Sequence, residues 1–134
     1  MKILIVEDDF ASRKLMQKYL SPYGICEVVV DGEEAVLAFS ESLENDDPFD
    51  LVCLDIMLPK KDGQQVLKSI RNLEASRGIE GSEGVKVIMT TALGDAENIM
   101  SAFRSQCEGY LTKPVTRQRL LEEIKELGLL ADEA

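Results

Sequence analysis

The stretch Leu51-Val52-Cys53-Leu54-Asp55-Ile56-Met57-Leu58-Pro59-Lys60-Lys61-Asp62-Gly63 decides the architecture. Its first four residues form an unbroken apolar run, bounded by polar residues, of the kind found in a strand covered on both faces. The run stops on an acid, and the Pro, paired Lys, Asp and Gly that follow are turn and helix-start chemistry. A buried strand that delivers a carboxylate into a loop and then a helix is part of a βαβ unit.

Working outward, Ile3-Leu4-Ile5-Val6 and Val85 to Met89 are almost as continuous in apolar residues, which places them beside the first run in the middle of a sheet. Ile25-Cys26-Glu27-Val28-Val29-Val30 carries a charge in mid-run, and Gly109-Tyr110-Leu111-Thr112 is short and alternates in polarity. Both read as edge strands. Helical apolar stripes separate these runs: Ala11, Leu15 and Tyr19, then Ala35 and Phe39, then Val66, Leu67 and Ile70. Ala96, Ile99, Met100 and Phe103 mark a fourth helix, and Leu120, Leu121, Ile124 and Leu127 a fifth. Asp31 with Glu34 resembles a capping box, Asp62 precedes the third helix, and Thr116 sits where the last one begins. The segments Glu44-Asn45-Asp46-Asp47-Pro48 and Glu74 to Gly84 read as solvated loops.

Strands that alternate with helices imply an α/β fold with a doubly wound, five-stranded parallel sheet. Right-handed crossovers, with strands two and five at the edges, leave the order 2-1-3-4-5. In that order the switch point lies between strands one and three, and ligands bind there, outside the carboxyl ends of the strands.

At 134 residues the chain suits one domain with one ordinary core, and 45% hydrophobic with 30% charged residues is a globular composition. A net charge of -10 repels phosphate backbones and argues against nucleic-acid binding. Cys26, Cys53 and Cys107 show no CxxC spacing and read as reduced packing residues. No apolar run is long enough for a membrane span, and no signal-peptide layout precedes Ile3, so a cytoplasmic location is expected. The chain has no histidine, which excludes Ser/His and Cys/His catalysis, histidine metal ligands and a phosphohistidine carried here.

Strand one ends in Glu7-Asp8-Asp9 and strand three in Asp55, so carboxylates converge at the switch point. Two like charges about 4 Å apart repel by roughly 4 kcal/mol at an effective dielectric near 20, so the cluster calls for a cation. Oxygen-only donors favour Mg²⁺, with Asp8 and Asp55 as direct ligands and Glu7 acting through a water. Asp9 belongs more naturally to the start of the first helix. Thr90-Thr91-Ala92 and Lys113-Pro114 close strands four and five at the same rim. Phosphoryl transfer asks for a nucleophile, which Asp55 supplies, with a cation and donors around the equatorial oxygens, here Lys113 and Thr91. Taken singly, Lys113 is an ordinary surface lysine and the threonines ordinary strand-end residues; their joint placement beside the acids favours the chemical reading.

These segments, together with Gly109-Tyr110-Leu111-Thr112-Lys113-Pro114, resemble the receiver domains of two-component response regulators over nearly the whole chain. The resemblance implies the flavodoxin-like receiver fold over residues 1–130, with a short tail at 131–134. It implies that Asp55 takes a phosphoryl group from a sensor histidine kinase or histidine phosphotransfer protein, and that the backbone carbonyl of Met57 joins Asp8 and Asp55 around Mg²⁺. It further implies a cis bond before Pro114, and a phosphoryl-binding and switch set of Thr91, Ala92, Lys113 and Tyr110. This set would remodel a face built from helix four, strand five and helix five. Met57 and Leu93 fall where family members tune attack by water, and two apolar residues there suggest a slowly hydrolysed phosphoaspartate.

The leading reading is therefore a stand-alone signalling phosphoacceptor, not an enzyme beyond its own phosphorylation and autodephosphorylation, which acts on an output protein the sequence does not name. A receiver cut from a larger regulator or hybrid kinase is the alternative. An aspartyl-phosphate phosphatase would resemble an Asp-x-Asp pattern closing strand one, which Glu7-Asp8-Asp9 lacks. A flavin carrier on the same fold would need a Ser/Thr/Gly phosphate loop where this chain is acidic.

Overall fold

Five parallel strands, β1 (Lys2–Val6), β2 (Ile25–Val29), β3 (Leu51–Asp55), β4 (Lys86–Thr91) and β5 (Gly109–Thr112), form one sheet in the order β2-β1-β3-β4-β5. The computed structural model describes residues 1–58, 60–80, 83–92 and 107–130. The expected order and the edge positions of β2 and β5 are both found.

Side chains alternate across the sheet, and this alternation divides the core in two. On one face Leu4, Val6, Val52, Leu54, Val87 and Met89 pack under α2 (Gly32–Glu44) and α3 (Gly63–Ser76), which contribute Ala35, Phe39, Val66, Leu67 and Ile70. On the other, Ile3, Ile5, Leu51, Cys53, Ile88 and Leu111 pack under α1 (Phe10–Leu20) and the C-terminal helix (Arg117–Glu126). Full burial of one such Leu, Ile or Phe side chain stabilises by about 1.5–3 kcal/mol, so both layers are needed to hold the central strands. Leu129 and Leu130 pack at the edge of the second layer.

The first helix departs from its expected stripe. Met16 and Leu20 are its buried residues, whereas Ala11 is exposed and Leu15 is 46% exposed. Leu15 and Met16 are adjacent apolar residues, and the helix is rotated by about one position so that the second faces the sheet. The expected loop from Glu74 also needs correction: α3 runs through to Ser76, and Glu74 is buried. Its carboxylate accepts the Val85 amide at 2.6 Å and the Arg71 guanidinium at 2.8 Å, which satisfies a charge that would otherwise stay in water.

Caps fall close to expectation. Asp31 accepts the Glu34 amide at 2.9 Å and Thr116 the Arg119 amide at 3.2 Å, while the reciprocal capping box is formed by Asp62 and Gln65 at α3. The three cysteines are free. Burial raises all three thiols above their ordinary range, Cys53 to about 12, so they serve as packing groups. The expected fourth helix, with Ala96, Ile99, Met100 and Phe103, lies outside the described residues, as do Leu93, Pro59 and the tail 131–134. Among the described residues no helix is long and apolar enough to cross a membrane.

Candidate functional site

The alternation that separates the two cores also builds the site. Asp55 follows Cys53 by two residues, Thr90 follows Ile88, and Lys113 follows Leu111, so each stands one step above a residue of the α1-side core. Glu7 stands in the same relation to Ile5. Backbone bonds carry the sheet past its strand ends: the Glu7 amide donates to Val29 at 3.2 Å, Ile56 to Thr90 at 3.0 Å, and Lys113 to Thr91 at 2.7 Å. Thr90 and Thr91 are the last residues of β4 itself.

One carboxylate oxygen from each of Glu7, Asp8 and Asp55 lies within 4.8 Å of the other two. Glu7 and Asp55 are 3% and 4% exposed, and Asp8 is open to solvent. Lys113 stands between the buried pair, with Nζ 2.5 Å from Glu7 Oε1 and 3.0 Å from Asp55 Oδ2. The lysine expected to face an incoming group thus already offsets the repulsion between the acids. The other Glu7 oxygen accepts the Asp9 amide at 3.3 Å, and Asp55 Oδ1 accepts the Met57 amide at 3.1 Å. Arg13 fixes the acidic turn from α1, donating to the carbonyls of Glu7 at 3.1 Å and Asp8 at 3.3 Å. Asp9 caps α1 through the Ser12 amide at 2.9 Å, as its position suggested.

Burial, and next its hydrogen bond to Asp55, push Glu7 up to about 7, against the opposing pull of Lys113. Burial pulls Lys113 down, but its bonds to Glu7 and Asp55 outweigh that and leave it above its ordinary value. It is a firmly charged ammonium. Thr91 is 1% exposed and its Oγ1 has no hydrogen-bond partner. A buried hydroxyl left unpaired is unfavourable by about 1–3 kcal/mol, which marks this position as one built for something other than stability. Lys113-Pro114 is cis, Ala92 is exposed at the end of β4, and Tyr110 on β5 is 39% exposed. Met57 is exposed in the loop after β3.

The oxygen donors suit a small hard divalent ion: clustered carboxylates, one of them solvent-facing, with no sulfur or imidazole among them. Sequence reasoning did not foresee two neighbouring features. Gly32 at the start of α2 is pressed against Lys61 in the loop after β3, and Gly63 at the start of α3 is pressed against the Asp55 backbone. An Asp-Gly pair before each helix was the only available signal.

Residues 3–125 match the response regulator receiver domain family. Among curated proteins the chain is similar to a probable transcriptional regulator, ycf27, of Guillardia theta, at 34% identity over 92% of this chain and 44% of that protein. It is similar also to chemotaxis protein CheY of Halobacterium salinarum, at 29% identity over 94% of this chain and 95% of that one. It thus spans about half the length of the first relative and nearly all of the second. Among solved structures it resembles the receiver domain of a sensor histidine kinase of Pseudomonas aeruginosa, which has a magnesium ion coordinated in its active-site cleft. There the identity is 28%, the TM-score 0.73, and the coverage 95% of this chain and 97% of that one.

Proposed function

The chain belongs to the response regulator receiver domain family, a family of signalling domains, and we propose that it accepts a phosphoryl group on Asp55 from a phosphohistidine donor in a Mg²⁺-dependent reaction. The observation that carries this reading is the convergence of Glu7, Asp8 and Asp55, with Lys113 between the buried pair, at the carboxyl ends of the strands.

An Asp55 carboxylate oxygen forms the new P–O bond as the donor's P–N bond breaks, and the imidazole nitrogen leaves with the electron pair. Asp8, Asp55 and the Met57 carbonyl would hold Mg²⁺, with Glu7 engaged through a water. When bound, the ion supplies positive charge to the carboxylates and to the phosphoryl oxygens. Lys113 is the protein's own cation at the site, and its position beside Asp55 lets it pair with the charge that arrives there. The unpartnered Thr91 hydroxyl is a donor available to a phosphoryl oxygen. A phosphoryl group brings about two negative charges and several acceptors, enough to draw Lys113 and Thr91 into a new arrangement. Tyr110, exposed on β5 next to Leu111, is the residue through which that change would reach a protein partner.

The test is to incubate the metal-loaded chain with a small phosphodonor and weigh it intact beside Asp55→Asn. The wild type should gain one phosphoryl mass and the variant none; no gain in the wild type, or an equal gain in both, would refute the reading. A second arrangement, in which this receiver works as part of a longer regulator, is favoured by the 44% coverage of the transcriptional relative.

A further inference from the structure

The loop from Ile56 to Asp62 links the phosphoacceptor strand to α3 and carries Met57, whose amide holds Asp55 Oδ1 at 3.1 Å. Its C-terminal end is seated on β3: the Gly63 amide donates to the Ile56 carbonyl at 2.9 Å, and a Cβ at Gly63 would come 2.6 Å from the Asp55 carbonyl oxygen. Lys61, the residue before the helix cap Asp62, is seated on a different part of the molecule. A Cβ built on Gly32, the first residue of α2, would collide with the Lys61 carbonyl oxygen and lie 2.6 Å from both the Lys61 carbonyl carbon and its Cβ.

Gly32 is buried and is not one of the residues with positive φ, so its glycine supplies room and not conformational freedom. Alanine is the better helix former, so a glycine at this first position gives up helix propensity for the close approach. The neighbouring residue adds a weaker tie. Asp31 uses Oδ1 to cap α2 and presents Oδ2 to Lys60 Nζ at 3.6 Å, and Lys60 itself adopts φ 66. With Lys60 60% exposed the ion pair is worth no more than about 1 kcal/mol, so the steric seat on Gly32 is the dominant restraint.

We infer that Gly32 is a positioning residue: by leaving space for Lys61 it sets the path of the loop after β3, and so places Met57 against Asp55 and the metal-binding acids. The inference rests on the phosphoacceptor reading of that site. Residues that orient a metal site from outside it commonly change metal affinity by about 10–100-fold when altered. Gly32→Ala must displace Lys61, because its backbone carbonyl occupies the space that the new carbon would need.

The experiment uses the full chain with Gly32→Ala, Asp31→Asn, Lys60→Gln and the Asp31→Asn/Lys60→Gln pair. Mg²⁺ affinity is read by calorimetry, metal-free stability by urea unfolding, and loop position by the amide resonances of residues 56–62 without metal. Gly32→Ala should weaken Mg²⁺ binding by about tenfold or more and shift the loop resonances, with the phosphorylation rate restored in large part at saturating Mg²⁺. Asp31→Asn keeps a good cap and should weaken Mg²⁺ binding only a few-fold, with no further loss when Lys60→Gln is added. Wild-type Mg²⁺ affinity and unshifted loop resonances in Gly32→Ala would overturn the inference. Should that variant fail to fold, Lys61→Gly, which removes the Cβ on the loop side of the same contact, takes its place, and wild-type Mg²⁺ affinity with unshifted loop resonances there would overturn the inference. A wild type that binds no Mg²⁺ would refute the phosphoacceptor reading itself, whereas a wild type that binds beside indistinguishable variants refutes only the role of Gly32.

Discussion

Lys113 Nζ lies 2.5 Å from Glu7 Oε1, and this contact neutralises one of two acids that the sheet forces together. Removing one partner of a buried pair typically costs about 3–5 kcal/mol. Lys113 keeps 26% of its side chain in solvent and Glu7 can take up a proton, so the smaller loss of about 1–3 kcal/mol is expected for Lys113→Met without metal. Urea unfolding measures it, and Mg²⁺ should restore part of the loss. An unchanged unfolding midpoint would mean that the lysine does not compensate the cluster.

The raised proton affinity of Glu7 gives the metal-free protein a pH dependence of definite sign. Its folded value of about 7 stands above the ordinary 4.5, so the folded chain binds this proton more tightly than the unfolded chain does. The resulting stabilisation is complete below the ordinary value and is lost as pH rises through about 7. Asp9 and Asp31, held below the usual carboxylate range by the Ser12 and Glu34 amides, lose their caps only in stronger acid, outside this window. The melting temperature in chelator should therefore fall between about pH 5 and pH 8, and Glu7→Gln should flatten that slope. A slope that survives in Glu7→Gln would assign it to another group.

What the sequence made legible, and what it did not, divides along a physical line. The central strands were readable because burial on both faces demands continuous apolar runs; Glu7 and Asp55 were readable because each closes such a run, and Lys113 because it follows the last strand at the same rim. Leu15 and Met16 could not be ranked, since neighbouring apolar residues fit two rotations of α1 equally well. Glu74 looked solvated because its partners, Arg71 and the Val85 amide, meet it only in the folded chain. Gly32 offered only the weak sign of an Asp-Gly pair, because the group it makes room for belongs to a loop that sheet topology brings beside it.

The Thr91 hydroxyl offers a contrasting test, in which a substitution near the site stabilises. Thr91→Val keeps the branched shape that suits a strand and removes a buried oxygen without a partner. The metal-free chain should gain about 1 kcal/mol, seen as a higher urea midpoint, while phosphorylation should shift the Tyr110 resonances less than it does in the wild type. A lower midpoint would show that the hydroxyl is satisfied in solution.

Away from the rim, Arg71 joins three elements, and its loss should be the most damaging of these changes. Its guanidinium meets Glu74 Oε1 at 2.8 Å, the Val85 carbonyl at 2.9 Å, and both oxygens of Glu108 at 3.0 Å. Glu74 and Glu108 in turn accept the amides of Val85 and Val87, so one cation ties α3 to β4 and to the residue before β5. Arg71→Ala leaves two partly or fully buried carboxylates without their counter-ion, and about 3–5 kcal/mol is expected from breaking such a pair. Lysine carries the charge but not the fork, so Arg71→Lys should recover less than half of the loss. Urea unfolding of the three proteins decides this. Full recovery by lysine would mean that charge alone sustains the cluster, and a small loss in both variants would mean that water reaches Glu74 once the arginine is gone.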